Sequence, residues 1–149
     1  MKRTYIRRAA ELVTCSGDKA KHGSEMKEVG IIQNGAVLIE DGHIALVGST
    51  EELDKKVDCQ AAELIDAGGQ AVLPGFVDSH THFLFGGYRA DEFGWRLQGE
   101  SYLSIMEKGG GINATVTPTR AASVEDFVAV GKERLDTMLR FGVTTVESK

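Results

Sequence analysis

Proline and cysteine are scarce in this chain: two of each occur, and tryptophan appears once. The two cysteines, Cys15 and Cys59, form no CxxC pair, so neither a disulfide framework nor a cysteine-type metal knot is expected. Free thiols in a reducing cytoplasm are the natural reading. Two prolines exclude a Pro-rich linker and make Pro74 a punctuation mark rather than part of a pattern. No apolar run follows the basic opening "MKRTYIRR", so neither a secretory leader nor a membrane-spanning segment is expected. Positive charge is in deficit, with 17 Lys and Arg against 22 Asp and Glu and a net charge of −5. Without a basic stripe, neither nucleic acid nor an acidic membrane is an expected partner. What is present, 42% hydrophobic and 26% charged residues over 149 positions, suits one ordinary domain or two small ones.

The first half reads as short strands. A strand is expected near residues 5–13, followed by a polar stretch, "SGDKAKHGSEMKEVG", in which His22 is an exposed bystander. In "GAVLIEDGHIALVG" (35–48) two apolar runs flank Asp41-Gly42, a hairpin signal because a type I′ turn needs positive φ at both central residues. His43, just after that turn, reads as a surface strand residue. "AELIDAGGQAVLPG" (62–75) repeats the pattern around Gly68-Gly69 and predicts a second hairpin.

At Pro74-Gly75 the character changes. "FVDSHTHFLF" is a mostly apolar run of the kind found in parallel α/β sheets. From Ser123 the period becomes helical, with Val124, Phe127, Val128, Leu135, Met138 and Leu139 on one stripe. Ser123 and Asp126 form a capping-box pattern, and Gly142 is a stop signal. "VTTVE" (143–147) then reads as a strand. The division is therefore 1–73, β-rich, and 74–149, the opening of a βα series. The fold class is α/β, with an amino-terminal β-sandwich portion followed by the first βαβ part of an incomplete (β/α)8 barrel.

Between these elements, Phe93 and Trp95 in "FGW" read as alternating core anchors and Tyr102 as packing. "GGGINATVTPTR" (109–120) reads as a mobile loop or a flexible linker. The chemistry lies in "SHTH". In a strand, residues i and i+2 share a face, so His80 and His82 present both imidazoles to one side and can converge on a cation. Imidazole favours zinc, iron, nickel or copper over magnesium or calcium. An HxH alone is more often two hydrogen-bonded strand-end histidines; its position at the carboxyl end of a parallel strand favours the metal reading. Asp78, two residues before His80, could be a carboxylate supporting a metal ligand, but reads more simply as a strand-start polar group.

"PGFVDSHTH" resembles the signature of metal-dependent amidohydrolases, in which a β-sandwich precedes a barrel whose first strand ends in HxH. The series "HFLFGGYRADEF", "RLQGESYLSIMEKGGGINATVTPTRAAS" and "FGVTTVESK" is similar, more narrowly, to the imidazolonepropionase family of histidine degradation. The likeness runs from about residue 60 to Lys149 and more loosely over the earlier strands. It implies hydrolysis of 4-imidazolone-5-propanoate to N-formimino-L-glutamate, with His80 and His82 ligating Zn or Fe and Arg89 binding the substrate. A guanidinium suits that role because it forks onto a carboxylate. The family's remaining ligands (a His and an Asp), its catalytic Glu and a substrate-contacting Tyr come from later strands, so no catalytic residue is expected within 1–149. This chain is thus expected to be the amino-terminal segment of a cytoplasmic enzyme acting on a small molecule.

Two other readings stand beside this one: a non-catalytic β-rich module, and a sister amidohydrolase such as a guanine-type aminohydrolase, which shares HxH but not the later series. The unpaired edge of the last strand and the apolar stripe of the 123–141 helix predict self-association, a homo-oligomer rather than a monomer.

Overall fold

A computed structural model describes residues 2–149. The chain divides into two compact units, one ending at Pro74 and the other spanning Gly75–Lys149.

The first unit is a four-stranded sheet. Strands β1 (Arg3–Val13), β2 (Ile31–Glu40), β3 (His43–Ser49) and β4 (Glu63–Asp66) lie in the order β3-β2-β1-β4. β2 and β3 form the expected hairpin: Glu40 pairs with His43, and Asp41 and Gly42 take φ of 48° and 83°. Alternation along β1 and β2 sorts the core onto two faces. Tyr5 and Leu38, opposite one another in the β1–β2 ladder, pack with Leu53 and Val57. Leu53 closes a four-residue helix α1 (Thr50–Leu53), capped by the Ser49–Glu52 box. The opposite face, with Ala9, Leu12 and Val37 as its buried centre, opens into an apolar trough edged by Ile44 and Val47.

The second hairpin expected at Gly68-Gly69 does not form. Segment 63–73 instead runs parallel to β1 along its whole length. β4 pairs with residues 4–7, the chain turns at Ala67–Gln70, and Val72 bridges Leu12. Beside the turn, β1 bulges between Ile6 and Ala9 with Arg8 at φ 57°. The bulge consumes one ladder position, and the glycine turn keeps the neighbouring segment in step with it. The Thr50 hydroxyl accepts from the Arg8 amide (3.0 Å) and donates to the Gly35 carbonyl (3.2 Å), so the kinked backbone is satisfied within the fold. Arg8 also pairs with Asp66 on β4.

The second unit pairs β5 (Phe76–Thr81) in parallel with β6 (Val143–Ser148). Four helices lie between them: α2 (Ala90–Leu97), α3 (Tyr102–Glu107), α4 (Asn113–Ala121) and α5 (Val124–Arg140). Gly75 enters β5 where a Cβ would stand 2.1 Å from Thr144 Oγ1, so only glycine lets the two strands close at that end. Among the described residues no helix is long and apolar enough to cross a membrane.

Two expectations are corrected in this unit. The 109–120 run is not a glycine linker: its second part is helix α4, with Pro118 inside it. Proline lacks the amide that would bond Ala114, and the glycines of the 86–87 loop pack against its ring and carbonyl. Phe93 and Trp95 are not paired core anchors. They sit on helix α2, where two residues apart means nearly opposite faces, so Phe93 is 69% exposed and Trp95 is half-buried. The apolar stripe of α5 is present as a face of the helix: Phe127 and Met138 are half-buried, and Val124, Val128, Leu135 and Leu139 are exposed. Gly131 instead takes the contact, against Leu84.

The α5 capping box is present: Ser123 Oγ accepts from the Asp126 amide (3.1 Å), and Asp126 Oδ2 accepts from the Ser123 amide (3.0 Å). Gly142 follows at φ 88°. Replacing Ser123 by alanine should cost about 1 kcal/mol at neutral pH. The bonds from Ser123 hold the Asp126 carboxyl below its ordinary pKa. Folding therefore gains from the charged form above the unfolded pKa, and that gain is lost as pH falls through the lowered folded value. Chemical denaturation of Asp126→Ala and the parent should show a gap at pH 7 that narrows as pH drops below about 4.

Candidate active site

The carboxyl end of β5 is irregular. The ladder to β6 slips between Asp78 and Thr81, leaving one extra residue on β5. Asp78 Oδ1 accepts from the His80 amide at 3.1 Å and supports that bulge from within the chain. Bulges re-aim side chains at strand ends. Here His80 and His82, both exposed, stand with ring centroids 5.7 Å apart and planes inclined by 52°. Two imidazoles bound to one ion at about 2.0–2.1 Å from each ring nitrogen would have centroids roughly 6 Å apart, a separation of the same size. Among the described residues no third His, Cys, Asp or Glu joins them in a group able to hold a metal.

The chain leaves β5 through Phe83–Tyr88 and enters α2 at Arg89. This loop is pinned from two helices. Arg134 on α5 donates through Nη1 to the carbonyls of Phe83 (2.7 Å) and Phe85 (3.3 Å), with its guanidinium carbon 4.0 Å from the Phe85 ring centroid. Thr119 on α4 accepts from the Gly86 amide at 2.9 Å. A Cβ at Gly86 would lie 2.6 Å from the Pro118 carbonyl oxygen, so the loop reaches α4 only as glycine.

Arg89 is not a free loop cation. Its Nε and Nη2 donate to the two carboxylate oxygens of Glu92 at 2.8 and 2.7 Å. Glu92 is buried, 9% exposed, and its Oε1 also accepts from the Gly111 amide at 2.8 Å. The hydrogen bonds from Arg89, joined by the Gly111 amide, hold the Glu92 carboxyl below its usual range. In return they raise the Arg89 guanidinium above its own. Arg89 thus stays charged, with Nη1 and one Nη2 hydrogen not used by Glu92. Neither Glu92 nor Arg134 stands out in the sequence as a site residue. The Arg-x-x-Glu spacing at a helix start is the signal that could have flagged the first. Nothing local flags the second, whose partners lie some fifty positions away. Tyr102, 49% exposed at the start of α3, is less packed than expected, and Ser101 caps that helix by accepting from the Ser104 amide at 3.1 Å.

A model of the amidohydrolase family matches residues 63–146. Imidazolonepropionase of Clostridium tetani is 52% identical over 144 residues, covering 97% of this chain and 34% of that protein. The Parabacteroides distasonis imidazolonepropionase is 55% identical over 144 residues, 97% of this chain and 35% of that protein. The chain thus spans about a third of the length of the curated relatives it matches. Among solved structures, Escherichia coli guanine deaminase superposes with a TM-score of 0.71 over 99% of this chain and 30% of that one, at 19% identity. The ochratoxinase of A. niger gives 0.57 over 99% and 25%, at 21% identity. At such identities these two likenesses speak for the fold alone. The α/β class is as expected, a β-sheet unit followed by the opening strands and helices of an amidohydrolase barrel.

Proposed function

The chain belongs to the amidohydrolase family, and we propose that it is the amino-terminal part of an imidazolonepropionase. The reaction is hydrolysis of 4-imidazolone-5-propanoate to N-formimino-L-glutamate, in the cytoplasm, by a homo-oligomer. The observation that carries this reading is identity above 50% to imidazolonepropionases across 97% of the chain. The guanine-type alternative rests on a likeness of fold at 19% identity. The non-catalytic module has no observation in its favour.

In this reading His80 and His82 hold Zn or Fe, two of the metals that imidazole suits. When bound, such an ion supplies Lewis-acid polarisation of a carbonyl and hydroxide near neutral pH. Arg89 takes the propionate carboxylate, which does not react, and so orients the ring. The Phe83–Tyr88 loop that leads to Arg89 is held by Arg134 and Thr119. The proton-transfer residues lie outside these 149 positions.

The full-length protein loaded with Zn or Fe should consume imidazolonepropionate, followed by its absorbance, and release formiminoglutamate. A chelator should stop it. The 149-residue chain alone should show no turnover above background with either metal, because two imidazoles are half of a tetrahedral shell. A full-length, metal-loaded protein that deaminates guanine and leaves imidazolonepropionate intact would overturn the proposal.

A further inference from the structure

We infer that Glu92 is a positioning residue for substrate binding: it holds the Arg89 guanidinium in one orientation, so that the substrate carboxylate meets its unoccupied Nη1 edge. The inference rests on the reading of Arg89 as the carboxylate contact. A guanidinium has two edges that can fork onto a carboxylate, the Nε–Nη2 side and the Nη1–Nη2 end. Glu92 fills the first completely, at 2.8 and 2.7 Å.

An exposed ion pair three residues apart on a helix contributes little to stability. This pair is lopsided instead. The Glu92 side chain is 12% exposed while the Arg89 side chain is 38% exposed. A buried carboxylate needs compensation from every neighbour, and Glu92 has it on two sides. Arg89 lies on one, and on the other the Gly111 amide at 2.8 Å belongs to the turn between α3 and α4. That turn is tight around it: a Cβ on Gly110 would meet Glu92 Oε1 at 3.0 Å and Ile105 Cγ2 at 2.7 Å. Glu92 therefore cannot shift without moving the turn, and the guanidinium bonded to it is equally fixed. The arrangement places its rigid member inside and leaves the open edge of the guanidinium outside, as a preorganised anion contact requires. One edge for one carboxylate favours a substrate with a single anionic arm.

The alternative role makes the opposite prediction. If Glu92 merely offset the Arg89 charge, removing its charge would strengthen attraction for an anionic substrate. Glu92→Gln is nearly isosteric, keeps an oxygen for Gly111, and sets an amide nitrogen against Arg89 Nη2. In the full-length, metal-loaded protein, Glu92→Gln should raise KM for 4-imidazolone-5-propanoate about tenfold and change kcat less than about twofold. In an Arg89→Ala background the same change should add nothing to KM. A KM that is unchanged or lowered in Glu92→Gln, or an effect that adds fully to that of Arg89→Ala, overturns the inference. Glu92→Asp, which keeps the charge but withdraws the carboxylate by one methylene, gives the same readout if the glutamine variant does not fold. KM should rise there too, and an unchanged KM overturns the inference. The two layers separate cleanly. An Arg89→Ala variant with normal KM removes the carboxylate contact itself, whereas a raised KM in Arg89→Ala with a silent Glu92→Gln removes only the role of Glu92.

Discussion

Replacing His82 by alanine in the full-length protein should abolish metal loading and lower ring-opening turnover by at least about 10³-fold. The imidazole is exposed, so its removal opens no cavity. The fold should change in stability by no more than about 0.5 kcal/mol. The two effects can be read separately, the metal content by elemental analysis of purified protein and the fold by thermal melting. His80→Ala should behave in the same way, because a chelate of two rings 5.7 Å apart loses its second arm whichever ring is removed. A His82→Ala protein that keeps a stoichiometric metal and its turnover would show that the pair is not the ligand set.

Arg89→Ala should raise KM by about 10- to 100-fold, the worth of one charge-assisted hydrogen bond at about 1.5–3 kcal/mol. Its kcat should fall far less, because the carboxylate it contacts is remote from the bond that breaks. The variant also strips Glu92 of its bonded cation and leaves it the Gly111 amide. Some loss of stability is therefore expected alongside, and a melt on the same sample separates unfolding from weakened binding. A substrate analogue without the propionate arm should bind the parent and the variant alike. If the variant still discriminates between analogue and substrate as the parent does, the carboxylate contact lies elsewhere.

The helix of 124–140 and both its ends were legible because a 3.6-residue period, a Ser-x-x-Asp cap and a terminal glycine are all local signals. The Asp41-Gly42 turn was legible for the same reason. The rings of His80 and His82 stand 5.7 Å apart, but a regular pleat does not account for it: the strand bulges between Asp78 and Thr81 and ends at Thr81, neither of which is legible locally. The Gly68-Gly69 signal misled because a turn states that the chain bends and leaves open which strand it then meets. The strand it meets is β1, whose bulge at Arg8 lies beside the turn, some sixty residues earlier. Phe93 and Trp95 misled because their spacing suits a strand, and the helix there buries Glu92 instead.

By itself, then, the order of residues determined which short segments bend, coil or extend, and that two histidines stand one residue apart at the end of a strand. Each of those follows from the sterics of neighbours a few positions apart. The tertiary structure alone decided that β1 takes β4 as a parallel neighbour, that Arg134 grips the loop before α2, and that Glu92 occupies one edge of Arg89 while bound to Gly111. Such pairings depend on which buried polar groups end up side by side once the chain is compact, and each must find its partner there or bear the full cost of lost hydration.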